Sequence, residues 1–286
     1  MYQQTLGQSF SIVGRGLHLG KRSTITLHPS DPDTGIIFKR IDRPDSEGHI
    51  LASWENIHDL PLCTCLSNGR YQIRTVEHLL AGLVGCGVDN ALVEVKGEEI
   101  PLADGSAAEF VRKILIAGIL PQSELRRFIR IKKQVEYHEG SKRVMIEPSD
   151  EFEVDVTISL RKIGRLNWTG AISPQRLQEE ILFARTFGRI FPAVFGIFLA
   201  YFSKTKICLG ASPKNSIYIW GGKGITKGGL RAPDEYVRHR VLDLVGDMAL
   251  AGHPIRGKVT TSSTSHRLNH CLMEKLFTDK EAWVLE

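Results

Sequence analysis

The sequence predicts an α+β fold of two similar domains, each a layered unit with a sheet packed on helices. Segments of alternating polar and apolar residues are followed by helical segments, and this order recurs on each side of residue 123. The length of 286 residues corresponds to about two domains at ~150 residues each. The segments HLLAGLVGCGV and LVGDMALAGHPI share an apolar helix followed by glycine, which favours two similar halves.

Three strands and two helices are predicted in the first half. The strands are residues 23–28, 34–40 and 90–95, which have the alternation or the β-branched content of half-buried strands. TVEHLLAGLVG has apolar residues at helical spacing, with Thr75 as N-cap and Gly85 as its stop. PLADGSAAEF then gives a turn that leads into a second helix over residues 109–118.

The second half is predicted to begin near residues 121–124, so the domains are residues 1–122 and 123–286. Strands are predicted at RRFIRIKK, VMIEP and FEVDVTISL. The basic residues of RRFIRIKK are most simply a solvated strand face. Helices are predicted at QRLQEEILFARTF and APDEYVRHRVLDLVGDMALAG.

Composition excludes several classes of protein. The chain is 42% hydrophobic and 24% charged, which excludes wholesale disorder and a polytopic membrane protein. Its net charge of +5 permits attraction to phosphorylated ligands or an anionic membrane, but is too small for a dedicated DNA-binding protein. Five scattered cysteines without CxxC pairs, and a start without a signal-peptide pattern, predict a reducing, cytoplasmic location.

One apolar run departs from this soluble pattern. Residues 190–203 (IFPAVFGIFLAYFS) are uncharged and lie between Arg189 and Lys204. A membrane-spanning helix needs ~20 apolar residues, so this run is too short to cross a bilayer. A buried element or an apolar ligand wall is favoured over contact with a membrane.

The helix predicted over residues 234–250 carries a polar row opposite its apolar stripe. The polar residues, each four positions apart, are Glu235, His239, Asp243 and Asp247. This spacing puts His239 and Asp243 on one face, where both could reach one metal ion. A solvated face with pairing between His239 and Asp243 is the alternative, and this helix alone favours that alternative.

The earlier helix supplies Glu77 and His78 side by side. Alone, His78 is more typical of a hydrogen-bonded core histidine, and Glu77 of a favourable first-turn acid. If the two helices meet, two histidines and one aspartate would leave the fourth position of a zinc ion open for water, as catalytic zinc sites require. Glu77 would then be placed as a general base.

Three further residues have a chemical interpretation beside a plain one. His266 could act as a cation or general acid, or it could be a surface histidine. Thr186 could donate to an oxyanion, or it could be an ordinary threonine at a helix end. GRGLHLGKR around His18 is typical of a hairpin turn, in which ligand binding is an option.

Eight short motifs occur in order along the chain: GLHLGK, LCTCL, TVEHLLAGL, IPLADGSA, ARTFG, LGAS, DEYVRHRVLDLVGD and SHRLN. Together they resemble the UDP-3-O-acyl-N-acetylglucosamine deacetylases, the zinc amidases of lipid A biosynthesis. The resemblance covers nearly the whole chain, and the EHL and VRHRVLDLVGD motifs are its most specific parts. It overrides the plain interpretations of the residues on both helices.

The resemblance implies two domains of similar fold with the active site between them. The zinc ligands that it implies are His78, His239 and Asp243. Glu77 would deprotonate the attacking water, and His266, oriented by Asp247, would act as the cationic acid. Thr186 would stabilise the oxyanion. Substrate contacts are expected at His18, Phe187 and Arg240.

The implied reaction converts UDP-3-O-acyl-N-acetylglucosamine and water into acetate and a free 2-amino sugar nucleotide. We expect a cytoplasmic monomer, with peripheral contact with the inner membrane as an option because the product is destined for a lipid. No nucleic-acid partner is expected, since the charge is nearly balanced and RRFIRIKK lacks interleaved aromatic residues.

The sequence departs from the family pattern at three places, one of which is the segment at residues 261–264, which lacks the basic residue expected from some relatives. Arg240 stands where lysine is usual, and arginine differs from lysine in geometry. Residues 189–209 form a longer, more apolar insert, which indicates either a remodelled acyl passage or membrane-facing lip, or local sequence decay. The insert motivates an alternative function, a catalytically altered or inactive homologue that binds a sugar nucleotide or acylated lipid without turnover.

Overall fold

The computed structural model describes residues 1–43, 48–189 and 206–286. The predicted α+β class is confirmed, because helices and several sheets are both present. Most of the apolar insert, residues 190–205, lies outside the described residues. The hypotheses about that insert therefore stay predictions.

The first half contains ten strands and two helices among the described residues. Its helices are α1 (Glu77–Gly85) and α2 (Ala108–Ala117). Its strands are β1 (Tyr2–Leu6), β2 (Phe10–Arg15), β3 (Arg22–Pro29), β4 (Ile36–Arg40), β5 (His49–Leu51), β6 (Ile57–His58), β7 (Cys65–Ser67), β8 (Gln72–Arg74), β9 (Ala91–Lys96) and β10 (Ile119–Leu125). The strands predicted at residues 23–28, 34–40 and 90–95 are confirmed as β3, β4 and β9.

The second half contains the remaining described elements. Its strands are β11 (Ile129–Ile131), β12 (Val135–Glu139), β13 (Lys142–Glu147), β14 (Phe152–Leu160), β15 (Gly164–Ala171), β16 (Phe187–Arg189), β17 (Ile217–Trp220), β18 (Lys223–Ile225), β19 (Ile255–Ser262) and β20 (Trp283–Leu285). Its helices are α3 (Pro174–Arg176), α4 (Glu235–Met248) and α5 (His266–Thr278).

Two larger sheets carry most of the strands. One has the order β2-β3-β9-β4-β5, and alternate residues of its strands are buried, as in β3 and β9. The other has seven strands, in which β19 pairs with β13 and β14 near its centre. Smaller sheets are β6-β7-β8, β16-β17-β18 and the pair β1-β10. The hairpin from β2 to β3 confirms the turn predicted around His18.

Strand β10 crosses the predicted domain boundary. It runs antiparallel to β1, so that Leu6 lies opposite Ile119 and Gln4 opposite Pro121. The boundary between residues 122 and 123 therefore falls inside a paired strand rather than in an open linker. The division into two domains stays a prediction.

One local prediction is wrong, and two predicted elements are shorter than expected. Thr75 does not cap α1; it has a φ of +59° and its hydroxyl donates to Glu99 instead. Only Ile129–Ile131 of RRFIRIKK is a strand. QRLQEEILFARTF is helical through Ile181, as α3 and a π-helix over Leu177–Ile181, and the helix stops there because the ARTF residues are held by side chains of α4.

Candidate active site

Helices α1 and α4 pack with their backbones in contact. A Cβ atom at Gly246 would lie 2.1 Å from the Glu77 carbonyl oxygen, so only glycine permits this approach. The first turn of α1 therefore faces the C-terminal half of α4. This contact joins the two halves of the sequence and brings Glu77 and His78 beside the polar row of α4.

The polar row of α4 is buried rather than solvated. Glu235, His239, Asp243 and Asp247 are each at most 3% exposed. The alternative of a solvated helix face is therefore wrong. The row is buried because α1, α5 and the 184–186 segment cover it and supply polar partners.

Three of these side chains converge on one point. His78 Nε2 and His239 Nε2 lie 3.6 and 3.3 Å from Asp243 Oδ1. The candidate ligand atoms of all three residues lie within 4.8 Å of one another, and all three residues are buried. Among the described residues, Asp243 Oδ1 has no hydrogen-bond donor. Two imidazoles and a carboxylate with an unused oxygen fit a metal ion.

The surroundings fix the ligands in the forms that a metal ion needs. His239 Nδ1 donates to the Ala184 carbonyl at 3.1 Å, which leaves the Nε2 lone pair free. Burial lowers the pKa of His239 to about 4, so the ring is neutral at pH 7. Burial alone would raise the pKa of Asp243, but His239, His78 and Arg240 hold it well below its usual range.

Glu77 lies beside this group with a different environment. Its Oε2 accepts a hydrogen bond from the Thr64 backbone at 3.1 Å, and its Oε1 lies 3.8 Å from His266 Nε2. Burial raises the pKa of Glu77 to about 7, against the opposing effect of His266. A carboxylate with this pKa can accept and release a proton near neutrality.

His266 begins helix α5 and is held by Asp247. Its Nδ1 lies 2.9 Å from Asp247 Oδ2. Burial would lower the pKa of His266, but the charges of Asp247 and Glu77 outweigh burial and raise it to about 10. The ring is therefore a cation at neutral pH, with Nδ1 bound to Asp247 and Nε2 directed towards Glu77.

Sequence reasoning missed the side chains that support this pair. The Thr64 hydroxyl lies 2.5 Å from Asp247 Oδ1 and 3.0 Å from His270 Nε2. Asn269 donates to Asp247 Oδ2 at 2.7 Å. Thr64 stands in the LCTCL motif and Asn269 in SHRLN, but nothing in their spacing shows that they share one carboxylate.

The remaining predicted residues line one cavity of about 640 Å³ beside the metal-capable group. Thr186, Phe187, Arg240 and His18 are among its walls. The Arg240 guanidinium lies 4.9 Å from the centre of the Phe187 ring and donates to Asp243 Oδ2 at 3.0 Å. The apolar wall of the cavity includes Leu17, Leu62, Leu160, Ile207, Cys208 and Ile219.

Glu99, which sequence reasoning also missed, holds the turn that carries His18. Its carboxylate accepts from the backbone of His18 at 2.6 Å and of Leu19 at 2.8 Å, and from the Thr75 hydroxyl. Burial lowers the pKa of His18 to about 4, so this ring is neutral. His18 Nε2 is buried without a hydrogen-bond partner among the described residues, in a wall of the cavity.

A buried ion pair holds the segment that contains Thr186. Arg185 Nε and Nη2 donate to Glu235 at 2.8 and 3.0 Å, and the Arg185 backbone N–H donates to the same carboxylate. The pair ties the segment to the first turn of α4. Ala184 precedes Arg185, and its carbonyl oxygen accepts a hydrogen bond from His239. Thr186 follows Arg185 and lines the cavity.

Comparisons with known proteins agree along the chain. The family model for UDP-3-O-acyl N-acetylglycosamine deacetylase matches residues 3–278. Relatives named UDP-3-O-acyl-N-acetylglucosamine deacetylase include those of Coxiella burnetii (strain CbuK_Q154), 39% identical over 98% of this chain and 92% of the relative, and Pseudoalteromonas translucida (strain TAC 125), 38% identical over the same shares. The relative from Geobacter sp. (strain M21) is 36% identical over 100% of this chain and 92% of its own. The chain therefore belongs to the UDP-3-O-acyl N-acetylglycosamine deacetylase family.

Proposed function

We propose that this protein hydrolyses the 2-acetamido group of UDP-3-O-acyl-N-acetylglucosamine and releases acetate, an early step of lipid A biosynthesis. The observation that carries the proposal is the buried His78, His239 and Asp243 group beside Glu77, in a chain of this family. Amide hydrolysis needs a nucleophile at neutral pH and a proton for the departing amine. The cavity offers residues suited to both tasks.

The ion held by the three residues is proposed to be Zn²⁺. Two histidines and one carboxylate leave a fourth position open, which is the pattern of catalytic zinc sites. When bound, zinc lowers the pKa of a water molecule towards ~7 and polarises a carbonyl oxygen. The hydrogen bond from His239 to Ala184 orients one ligand, and Arg240 orients another through Asp243.

Glu77 is proposed to be the general base. Its backbone partner Thr64 fixes one carboxylate oxygen, and the other oxygen faces the site. With a pKa raised to about 7 by burial, Glu77 is about half ionised at pH 7 and can take a proton from the attacking water. Glu77 precedes the candidate ligand His78 in sequence, but its carboxylate points towards His266.

His266 is proposed to deliver the proton that the amine needs on departure. It is a cation at neutral pH, and Asp247 binds Nδ1 so that Nε2 faces the site. The Thr186 hydroxyl is proposed to donate to the oxyanion of the tetrahedral intermediate, since it lines the same cavity. His18, Phe187 and Arg240 are proposed to contact the substrate, and the apolar wall to hold its acyl chain.

We further propose that the protein works in the cytoplasm as a monomer. Its five cysteines are all free thiols, as is usual in a reducing compartment. Among the described residues, no helix has the length and apolar character needed to cross a bilayer. Contact with the inner membrane is proposed to be peripheral.

The test measures acetate release from UDP-3-O-acyl-N-acetylglucosamine by the zinc-loaded protein and its Glu77→Gln variant. Loss of the general base is expected to lower kcat by roughly 10²- to 10⁴-fold while the bound zinc per chain is unchanged. Glu109→Gln is the control, because Glu109 lies on the surface of α2 and pairs with Arg112. Folded, zinc-loaded wild-type protein that released no acetate would overturn the function, and an active Glu77→Gln variant would overturn the role of Glu77.

A further inference from the structure

Positive charge is concentrated in one stretch of the chain. Residues 181–233 contain eight lysines and arginines and no aspartate or glutamate. The rest of the chain has 29 basic and 32 acidic residues, since the totals are 37 and 32. The excess of positive charge in the whole protein therefore comes from this stretch. The nearly balanced charge of the whole chain conceals that concentration.

Two of these cations pair with acidic side chains, and others have no such partner in the part of the chain that the structure describes. Arg185 pairs with Glu235 in the interior, and Arg231 pairs with Asp104. The exposed cations that have no acidic partner among the described residues are Arg189, Lys206, Lys214, Lys223 and Lys227. Exposed cations without counter-charges leave a positive potential at the surface.

Two hairpin turns bring several cations to one place. A Cβ atom at Gly222, in the β17–β18 turn, would lie 2.8 Å from the Lys162 carbonyl oxygen in the β14–β15 turn, so the two turns touch. Together they form an open groove of about 520 Å³ whose walls include Arg161, Lys162, Arg189 and Trp220. Arg161 and Lys162 are also exposed and lack an acidic partner among the described residues.

Large apolar side chains are exposed beside these cations. Trp220 is 52% exposed and Ile225 is 47% exposed. In the β17–β18 pairing, Trp220 lies opposite Lys223 and Tyr218 opposite Ile225, so these four side chains share one face of the sheet. Tryptophan, lysine and aliphatic residues on one face are typical of surfaces that enter the headgroup region of a bilayer.

The groove and the active-site cavity share two wall residues. Arg189 and Ile219 line both. A lipid surface at the groove would therefore lie next to the cavity that the proposed function assigns to an acylated substrate. A nucleic acid would be attracted by the same charge, but it would gain little from the exposed aliphatic residues.

We propose that this cationic tip (Arg161, Lys162, Arg189, Trp220, Lys223 and Ile225) docks on a bilayer that contains anionic lipids. Only the purpose of docking depends on the proposed function. The charge and the apolar face of the tip are observed independently of that function. Each cation near an anionic surface contributes about fivefold to partitioning, and insertion of Trp220 adds an apolar contribution.

The test is co-sedimentation of the full-length, zinc-loaded protein with vesicles of phosphatidylcholine alone or with 30% phosphatidylglycerol. We expect binding to the anionic vesicles, weaker binding as salt rises, and little binding to phosphatidylcholine alone. Lys162→Glu/Lys223→Glu is expected to lower partitioning by at least about 25-fold, and Trp220→Ser to lower it by a similar order. Lys132→Glu/Lys142→Glu changes the net charge equally at exposed positions outside the tip and should retain binding.

Acetate release in vesicle-free solution separates docking from folding and from catalysis. Lys162→Glu/Lys223→Glu should keep that activity, because neither residue lines the active-site cavity. Protein that binds anionic vesicles but releases no acetate would overturn the proposed function and leave docking standing. Docking is overturned if anionic vesicles are not bound, if the control pair weakens binding as much as the tip pair, or if single-stranded DNA binds more tightly than vesicles and Trp220→Ser has no effect.

Discussion

Asp243 and Asp247 lie one turn apart on α4, and their neighbours give them different tasks. Asp243 faces two imidazoles and keeps one oxygen without a donor, as a metal ligand would. Asp247 is completely buried, and both of its oxygens are engaged by Thr64, His266 and Asn269. Aspartate therefore serves as a candidate metal ligand at position 243 and supports a cationic histidine at position 247, one turn later.

The pH dependence of activity follows from Glu77 and His266. Glu77 must be ionised to accept a proton, and its pKa is raised to about 7, so kcat/KM is expected to rise through about pH 7. His266 must be protonated to donate, and its pKa is raised to about 10, so kcat/KM should fall only above about pH 10. The measurement is acetate release from pH 5 to 11. The His266→Gln variant should be slower and lack the alkaline fall; an unchanged profile would contradict its role.

Among the side chains of the site, the sequence pointed to the candidate reacting residues but not to the residues that support them. The motifs single out Glu77, His78 and His239 as candidates because a metal amidase needs those chemical groups, and the structure brings the three together. Thr64 and Glu99 act through contacts that are distant along the chain: Thr64 reaches Asp247 across 183 positions. A short motif contains no information about such a contact, so only the folded chain reveals it.

Among the elements, the contact between α1 and α4 decides whether the site exists. His78 belongs to one helix, whereas His239 and Asp243 belong to the other, so the distance between the helices sets the distance between the ligands. Gly246 lets the backbones touch. The sequence predicted both helices closely, since α4 spans Glu235–Met248 within the predicted residues 234–250, but it did not show that they meet.

The Gly246→Ala substitution tests this contact. Its Cβ would overlap the Glu77 carbonyl, so we expect α1 and α4 to separate, the free energy of unfolding to fall by roughly 1–3 kcal/mol and zinc affinity to fall with it. Denaturant unfolding and competition with a chelator measure the two effects. Gly82→Ala is the comparison, because its Cβ would lie 3.2 Å from the Phe110 Cβ, a milder contact that faces α2 rather than α4. Equal zinc affinity in both variants would contradict the argument.

The predicted helix over QRLQEEILFARTF shows where local pattern is overridden. Its later residues have helical apolar spacing, yet Ala184 and Arg185 have partners on α4 that a continued helix could not supply. The Arg185–Glu235 pair is buried, so leaving either charge unpaired would be costly. Burial of that pair, rather than intrinsic helix propensity, sets the path of the chain beside Thr186.

For the whole molecule, the sequence patterns predicted the fold class, but total composition did not show the distribution of charge, and no pattern showed the strand pairing. The α+β class follows from the alternation of strand and helix patterns. The pairing of β1 with β10 joins residues more than a hundred positions apart, and no local pattern encodes it. The cationic stretch was present in the sequence, but a total charge of +5 averages it with the acidic remainder.

Removal of the metal is expected to destabilise the protein as a whole. The candidate ligands come from residue 78 in the first half and residues 239 and 243 in the second, so a bound ion links sequence-distant elements. At a free-ion concentration a thousandfold above Kd, binding stabilises the folded state by about 4 kcal/mol. A chelator should therefore lower Tm by roughly 10 °C for a chain of this size, and added Zn²⁺ should restore it.

The His78→Ala variant separates this effect from nonspecific metal binding. With one of the three candidate ligands removed, its Tm should respond little to the chelator. Its Tm without metal is the reference for that response, because His78 is itself a buried side chain. An exposed cysteine or histidine that bound zinc elsewhere would leave the response of the variant equal to that of the wild type. That equality would show that the ion stabilises the fold from a site other than the contact of α1 with α4.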